Sequence, residues 1–266
     1  MPELPEVETI RLGLEERLLG ALIKTIDLRD QKLTRGQVDL LTIKKLVENN
    51  YLVKFGRCGK NLLLFLSNGN ILFWHLGMTG SFKISENIEE IPYLRAYLET
   101  DKGYLLYSDI RRFGKLGVIK STNELKKGID PLGDNYLYDN FNKLLTSNKV
   151  IKSFLLDQEK ISGIGNIYAD EILWKAKILP NRPANSLSTE EINRLFKTIP
   201  EVLKEAIKHR GTTISDYRDI NSNPGEYSER LKVYGKEGKP CNECQGIIKK
   251  IKLGGRSSCF CSDCQK

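Results

Sequence analysis

The spacing of apolar positions changes period along the chain. From Glu3 to about Leu19, Val7, Ile10, Leu14 and Leu18 recur at helical spacing, with Glu8, Arg11 and Glu15 on the other side. That pattern predicts an amphipathic helix. Between residues 22 and 120 the runs become short and apolar or β-branched. Leu22–Leu28, Leu46–Phe55, Asn61–Leu66, Ile71–Leu76, Ser81–Ile84, Tyr93–Glu99, Tyr104–Tyr107 and Leu116–Lys120 are predicted strands. Ser67-Asn68-Gly69-Asn70 and Asp101-Lys102-Gly103 carry turn chemistry between them. One helix followed by a run of strands predicts a two-layer β-sandwich.

Ser121 to about Asn135 is polar and contains Gly128, Asp130-Pro131 and Gly133, as a linker would. Helical spacing then returns over Phe141–Leu145, Val150–Gln158, Asn166–Ala176 and Thr189–His209. Ser188 and Glu191 form a capping-box signature before the last of these, and Gly211 is placed to end it. Arg218–Glu229, with Pro224-Gly225, reads as a mobile loop, and a small cysteine-bearing module follows from Leu231. The expected fold class is α+β. Its expected parts are a β-sandwich over 1–120, a linker over 121–135, a helical domain over 136–230 and a metal module over 231–266.

Composition narrows the function. The 266 residues are 40% hydrophobic and 29% charged, an ordinary globular balance. No apolar run is long enough for a membrane span, and the acidic N-terminus is unlike a signal peptide. A cytoplasmic location is expected. The net charge of +8 points to a polyanionic partner, most simply nucleic acid. Lys232–Lys266 alone holds eight basic residues against three acids, so the C-terminal end is the basic end.

Five of the six cysteines lie in the last 26 residues. Cys241-x-x-Cys244 and Cys261-x-x-Cys264, sixteen residues apart, supply four thiolates for one tetrahedral Zn²⁺. Four cysteines leave no open coordination position, so the expected zinc is structural. Ile247–Leu253 and Ser257–Phe260 read as a β-hairpin between the pairs, with Gly254-Gly255-Arg256 at its tip. Arg256 suits a phosphate and equally a solvated turn. Cys259 is a spectator thiol or a swapped ligand, and Cys58 a packing residue.

Other stretches carry candidate chemistry. If Met1 is removed, Pro2 presents a secondary amine able to attack an aldehyde-level carbon, with Glu3 and Glu6 beside it. Taken alone, these residues favour a plain reading: a proline-started helix with acids at the positive end of its dipole. Gly163-Ile164-Gly165-Asn166 suits a tight turn into a helix N-terminus that meets a phosphate, or a simple helix joint. Met78, in His75-Leu76-Gly77-Met78-Thr79-Gly80, is either core or an apolar wedge. Arg111 and Phe113, in Asp109-Ile110-Arg111-Arg112-Phe113-Gly114, can contact bases or fill a gap in a base stack, or form a surface turn. Lys60 heads a strand and can reach a phosphate.

Together and in this order, Pro2-Glu3-Leu4-Pro5-Glu6-Val7-Glu8-Thr9, His75-Leu76-Gly77-Met78, Arg111-Arg112-Phe113-Gly114, Gly163-Ile164-Gly165-Asn166-Ile167-Tyr168 and the four-cysteine module closely resemble bacterial formamidopyrimidine-DNA glycosylases. The resemblance covers the whole chain. It implies a β-sandwich with an N-terminal helix, a helix–two-turn–helix domain and a zinc finger. It implies a base-excision repair enzyme that removes 8-oxoguanine and formamidopyrimidines, then cleaves the strand by β,δ-elimination. Its partner would be double-stranded damaged DNA, bound by a monomer in the nucleoid, with no membrane. Pro2 would be the nucleophile, Glu3 the acid at the deoxyribose and Glu6 a supporting acid. Lys60 would serve elimination, and Arg256 would bind phosphate and assist the second elimination. Asn166 would hold a backbone phosphate, and Lys152 would contact DNA near the lesion. Met78, Arg111 and Phe113 would fill the space left by a flipped nucleotide.

The sequence departs from the family in two places. Pro92-Tyr93-Leu94-Arg95-Ala96 stands where a histidine-rich stretch is common, and Arg210-Gly211-Thr212-Thr213 where Gly-Gly-Thr-Thr is common. The second run leads into the loop to Tyr227 that in the family closes over the damaged base. Lesion preference is therefore open, and two alternatives stand beside the main reading. One is an endonuclease VIII-like enzyme for oxidised pyrimidines. The other is a non-catalytic zinc-finger DNA-binding protein.

Overall fold

The computed structural model describes residues 2–36, 39–88 and 91–266. They form two compact units. The first comprises the chain up to Lys126 together with His209–Ser228, and the second Lys127–Lys208 with Glu229–Lys266.

The first unit begins with helix α1 (Leu4–Leu18), then strand β1 (Leu22–Leu28) and helix α2 (Leu40–Val47). Strands β2 (Asn50–Cys58), β3 (Asn61–Leu66), β4 (Ile71–His75), β5 (Gly80–Ser85), β6 (Leu94–Thr100), β7 (Gly103–Asp109) and β8 (Lys115–Ile119) follow. The strand order is β5-β7-β6-β1-β2-β3-β4-β8, antiparallel throughout. β1 and β2 share only Leu22↔Tyr51 and Ile23↔Asn50, so the sheet folds at this corner into the two layers of a sandwich. Ile26, Leu98 and Leu105 of one layer and Leu64, Leu72 and Leu116 of the other belong to one buried core, with Val7, Ile10, Leu14 and Leu18 of α1. Trp74 lies 5.1 Å from both Phe82 and Tyr107, so an aromatic group joins the two layers.

One expectation needs correction. The strand expected from Leu46 begins at Asn50, because residues 40–47 are helix α2. Asp39 caps α2 through Thr42 N–H at 2.9 Å, Ile43 and Val47 turn inward, and Asn49 reverses the chain at φ +60°. A short apolar run fits either period, and here a cap and a left-handed residue decide.

The loop from His209 to Ser228 packs on the first unit. Ile220 is buried against Gly13 of α1, where an added Cβ would sit 2.8 Å from its side chain. Tyr217 and Tyr227 are also buried.

The second unit holds helices α3 (Tyr138–Leu144), α4 (Ile151–Leu155), α5 (Asn166–Lys175) and α6 (Thr189–Lys208), then strands β9 (Ile248–Leu253) and β10 (Arg256–Cys261). The expected cap of α6 is present: Ser188 N–H donates to Glu191 at 2.8 Å and Glu191 N–H to Ser188 Oγ at 3.3 Å. Tyr136 stacks on Phe196 at 4.5 Å and donates its hydroxyl to the Phe196 carbonyl. Leu253 pairs with Arg256, so Gly254-Gly255 forms a two-residue turn with φ of +53° and +78°. Such a turn needs left-handed backbone at both positions, which glycine supplies without strain. Among the described residues, no helix is long and apolar enough to cross a membrane.

Candidate active site and zinc centre

In the first unit, Pro2, Glu3 and Glu6 are all buried at the start of α1. Glu3 is the N-cap, and Glu6 reaches back to accept the Glu3 N–H at 2.7 Å, as a capping box requires. The other Glu6 oxygen accepts the Thr212 N–H at 2.7 Å. Gly211, at φ +75°, sits so close that an added Cβ would lie 2.6 Å from Glu6 Oε1. The residues that cap the helix therefore also set the orientation of its acids. Glu6's contact with the distant loop has no local signal in the sequence. Met1 lies outside the described residues.

Lys60 is buried in the turn between β2 and β3, beside Gly59 at φ +59°. Two charges tie this turn to α1. Arg57 donates to the Gly59 carbonyl and to Glu8, each at 3.0 Å, and Glu8 also accepts from Arg11 at 2.8 Å. Nothing in the sequence distinguishes Glu8 and Arg57 from surface charges, yet they anchor the Lys60 turn on the helix that carries Pro2.

Met78, Arg111 and Phe113 lie on two loops of the same unit and are exposed. The Arg111 guanidinium is 4.9 Å from the Phe113 ring centroid, a cation–π contact. The fully buried Asp109 carboxylate organises both loops. It accepts from Thr79 Oγ1 at 2.6 Å, Arg111 N–H at 3.2 Å and Gly114 N–H at 2.8 Å. Gly77, at φ +67°, lets the loops touch, since a Cβ there would meet the Phe113 backbone at 2.6 Å. Arg112 turns away from Arg111 through its own left-handed conformation and grips Asp30 with two bonds of 2.6 and 2.7 Å. That hydrogen-bonded guanidinium holds the Asp30 carboxyl below its usual pKa. Arg95 lies in the Pro92–Ala96 stretch that the sequence singled out. It donates to the Asp109 carbonyl at 2.9 Å and rests on Tyr93, bracing the loop from behind.

In the second unit, Gly163 at φ +93° makes the turn into α5, and Gln158 braces it from both sides. Gln158 accepts the Gly163 N–H at 2.9 Å and donates to the Ile164 carbonyl at 2.8 Å. Asn166 opens the helix and donates its amide to the Ser257 carbonyl of the hairpin at 3.1 Å. Lys152, expected to contact DNA near the lesion, lies in the second unit on α4. Its side chain is fully buried, and its ammonium is held by Asp170 and by the Asn166 carbonyl. Glu171, also buried, accepts the Lys232, Val233 and Tyr234 N–H groups at 2.8 to 2.9 Å and so anchors the start of the cysteine module.

The sulphurs of Cys241, Cys244, Cys261 and Cys264 all lie within 4.8 Å of one another. The Cys244–Cys261 and Cys241–Cys264 separations are 3.4 and 3.8 Å. A tetrahedral zinc with bonds of about 2.3 Å spaces its sulphurs about 3.8 Å apart, so this is a closed structural zinc site. Burial opposes ionisation of these thiols. At Cys241 the Cys244 N–H and neighbouring donors overcome it and bring the pKa down to about 7, whereas Cys264 is pushed up to about 12. Four thiolates this close need a dication among them. Cys259 stands outside the cluster. Its burial among Trp174, Val233 and Ile248 raises its thiol pKa, as suits a packing residue. Arg256 is exposed beside the Gly254-Gly255 turn.

Three family patterns match the chain. The formamidopyrimidine-DNA glycosylase N-terminal domain matches residues 1–116, the H2TH domain of the same enzymes 128–218, and the zinc finger found in Fpg and isoleucyl-tRNA synthetase 238–266. The chain belongs to the formamidopyrimidine-DNA glycosylase family. It is 42% identical to the enzyme of Desulforamulus reducens, over all of this chain and 99% of the relative. The crystal structure of the MutM (Fpg) protein of Thermus thermophilus superposes with a TM-score of 0.89 at 38% identity, covering 99% and 98% of the two chains. A Lactococcus lactis Fpg variant in complex with DNA containing Fapy-dG gives 0.91 at 34% identity over both full chains. The same organism's enzyme has also been solved with abasic-site DNA, at a TM-score of 0.90.

Proposed function

We propose that the protein is a bifunctional DNA glycosylase and AP lyase that excises oxidised purines from duplex DNA. The observation that carries this reading is the capped start of α1, where Pro2, Glu3 and Glu6 are buried together and joined to the loop at Thr212. Once Met1 is removed, the Pro2 nitrogen attacks C1′ of the damaged nucleotide and expels the base. Glu3 transfers protons at the sugar, with Glu6 fixing its backbone. The C1′–O4′ bond then breaks as O4′ takes the proton from Glu3, which opens the sugar ring and leaves an iminium at C1′; the iminium withdraws electrons, so the C2′ proton is lost and the 3′ phosphate leaves. Lys60 serves this elimination. Arg256 binds phosphate and assists the second elimination, and Asn166 marks the phosphate-binding turn.

Extruding a nucleotide costs a few kcal/mol of unstacking. Met78, Arg111 and Phe113 offset that cost, because exposed apolar and cationic groups on a rigid support can enter the vacancy. The net charge of +8 supports a polyanionic partner such as duplex DNA, on which this reading has the protein work as a monomer in the cytoplasm.

Borohydride reduction in the presence of an 8-oxoguanine:cytosine duplex tests the reading. A covalent protein–DNA adduct is expected from a chain whose N-terminal mass lacks methionine, and none from one that retains Met1, where the Pro2 nitrogen is an amide; Pro2→Gly should still bind DNA but lose most base excision. Faster cleavage of a thymine glycol:adenine duplex would favour the pyrimidine-directed alternative. Binding without any adduct would favour the non-catalytic one.

A further inference from the structure

Asp170 lies one turn along α5 from Asn166, on the same face of the helix. Its carboxylate and the Lys152 ammonium form an ion pair in which each side chain is 1% exposed. Asp170 Oδ1 also accepts from Ser258 Oγ at 2.6 Å, and Oδ2 accepts the Cys259 N–H at 3.0 Å. Lys152 donates to the Asn166 carbonyl, and Asn166 to the Ser257 carbonyl, both at 3.1 Å. The bonds close a ring through α4, α5 and β10. At the hairpin tip, a Cβ on Gly254 would lie 3.1 Å from Ser153 Oγ of α4, so the turn itself rests on that helix.

A buried ion pair adds little net stability over an apolar pair of the same shape, because both charges are stripped of water. What this pair does provide is geometry: its satisfied oxygens fix Ser258 and Cys259, as the Asn166 amide fixes the Ser257 carbonyl, and together they define one position for the adjacent Arg256. We propose that Asp170 is a positioning residue that locks the Arg256 hairpin to the Asn166 turn, so that the two phosphate-binding groups are presented in fixed register. The inference rests on the reading of Arg256 and Asn166 given above.

The test uses the full-length zinc-loaded protein and a duplex with an abasic site, comparing Asp170→Asn, Arg256→Ala and their double variant. Asp170→Asn is expected to retain one zinc and to keep borohydride trapping at Pro2 within about twofold of the parent. Its ratio of doubly to singly eliminated product should fall about tenfold to a hundredfold, as misplacement of a reacting group by about 1 Å predicts. Arg256→Ala should show the same fall, and the double variant no more, because the two act through one group. An unchanged ratio in Asp170→Asn, with a shifted one in Arg256→Ala, overturns the proposal. If Arg256→Ala leaves the ratio intact, the reading of Arg256 fails separately. The lock is then judged by affinity for a tetrahydrofuran-containing duplex: about tenfold weakening in Asp170→Asn upholds it and parental affinity overturns it. Should Asp170→Asn lose zinc, Lys152→Met/Asp170→Asn, which buries no lone charge, carries the same comparison. Loss of zinc from both makes Asp170 a folding residue and overturns the proposal.

Discussion

Glu6 accepts the Thr212 N–H at 2.7 Å across 206 residues of sequence. Its second oxygen holds the Glu3 N–H, so one buried carboxylate sets both the start of α1 and the stem of the loop that ends near Tyr227. A glutamine has one acceptor oxygen and would turn an NH₂ toward one of these donors. Glu6→Gln is expected to lose about 1–3 kcal/mol of stability in urea or thermal melts. It should also slow base excision from an 8-oxoguanine duplex more than strand cleavage at a preformed abasic site. Equal effects on both substrates would show that the loop contact is irrelevant to base handling.

Gly211 is the close partner of that carboxylate. Its left-handed backbone and the 2.6 Å approach to Glu6 leave no room for a side chain. Gly211→Ala is expected to cost about 1–3 kcal/mol, measured by chemical denaturation. Ala substituted at Gly255, where nothing lies within 4 Å, meets only the backbone penalty of its positive φ and should cost less.

The Asp30–Arg112 pair predicts an acid limb of stability. The folded-state pKa of Asp30 is depressed by the hydrogen-bonded Arg112 guanidinium, so its contribution is present above the unfolded value of about 3.9. It is lost as pH falls through the lower folded value. Arg112→Leu should therefore flatten the stability–pH curve below about pH 4 while changing it little in shape near neutrality. An unaltered acid limb in circular-dichroism melts would count against the pair.

Metal removal should act on the C-terminal module. Elemental analysis is expected to find one zinc per chain, released by a thiol reagent with a chelator. Cys261→Ser should lose it, and Cys259→Ser should keep it, because Cys259 lies outside the cluster of sulphurs. The metal-free protein should bind duplex DNA weakly and with a shallower salt dependence, since the hairpin carrying Arg256 is no longer held.

Asp109 and Phe113 should behave oppositely. Phe113 is 45% exposed, so Phe113→Ala is expected to change stability by no more than about 0.5 kcal/mol while weakening binding to lesion-bearing duplexes. Asp109→Ala removes a fully buried acceptor with at least three donors and should lower the melting temperature as well as activity. A stable, inactive Asp109→Ala protein would mean that the loops do not depend on it for their shape.

Local pattern and covalent chemistry make part of this protein legible from its residues alone. Short apolar runs bounded by turn residues set the strands, the Ser188–Glu191 box started α6, and two Cys-x-x-Cys pairs specified a zinc site by their spacing. Each signal sits within a few residues, where spacing alone decides geometry. Where two periods fit equally, as around Leu46, the sequence was ambiguous, and a cap and a left-handed turn settled the helix. The long-range polar contacts arise only on folding. Glu6 meets Thr212, Arg57 holds the Lys60 turn to α1, Asp109 ties two loops together, and Lys152 turns inward to Asp170 rather than outward. A buried charge is tolerated only where folding brings it a partner, and those partners come from distant segments whose pairing leaves no periodic trace.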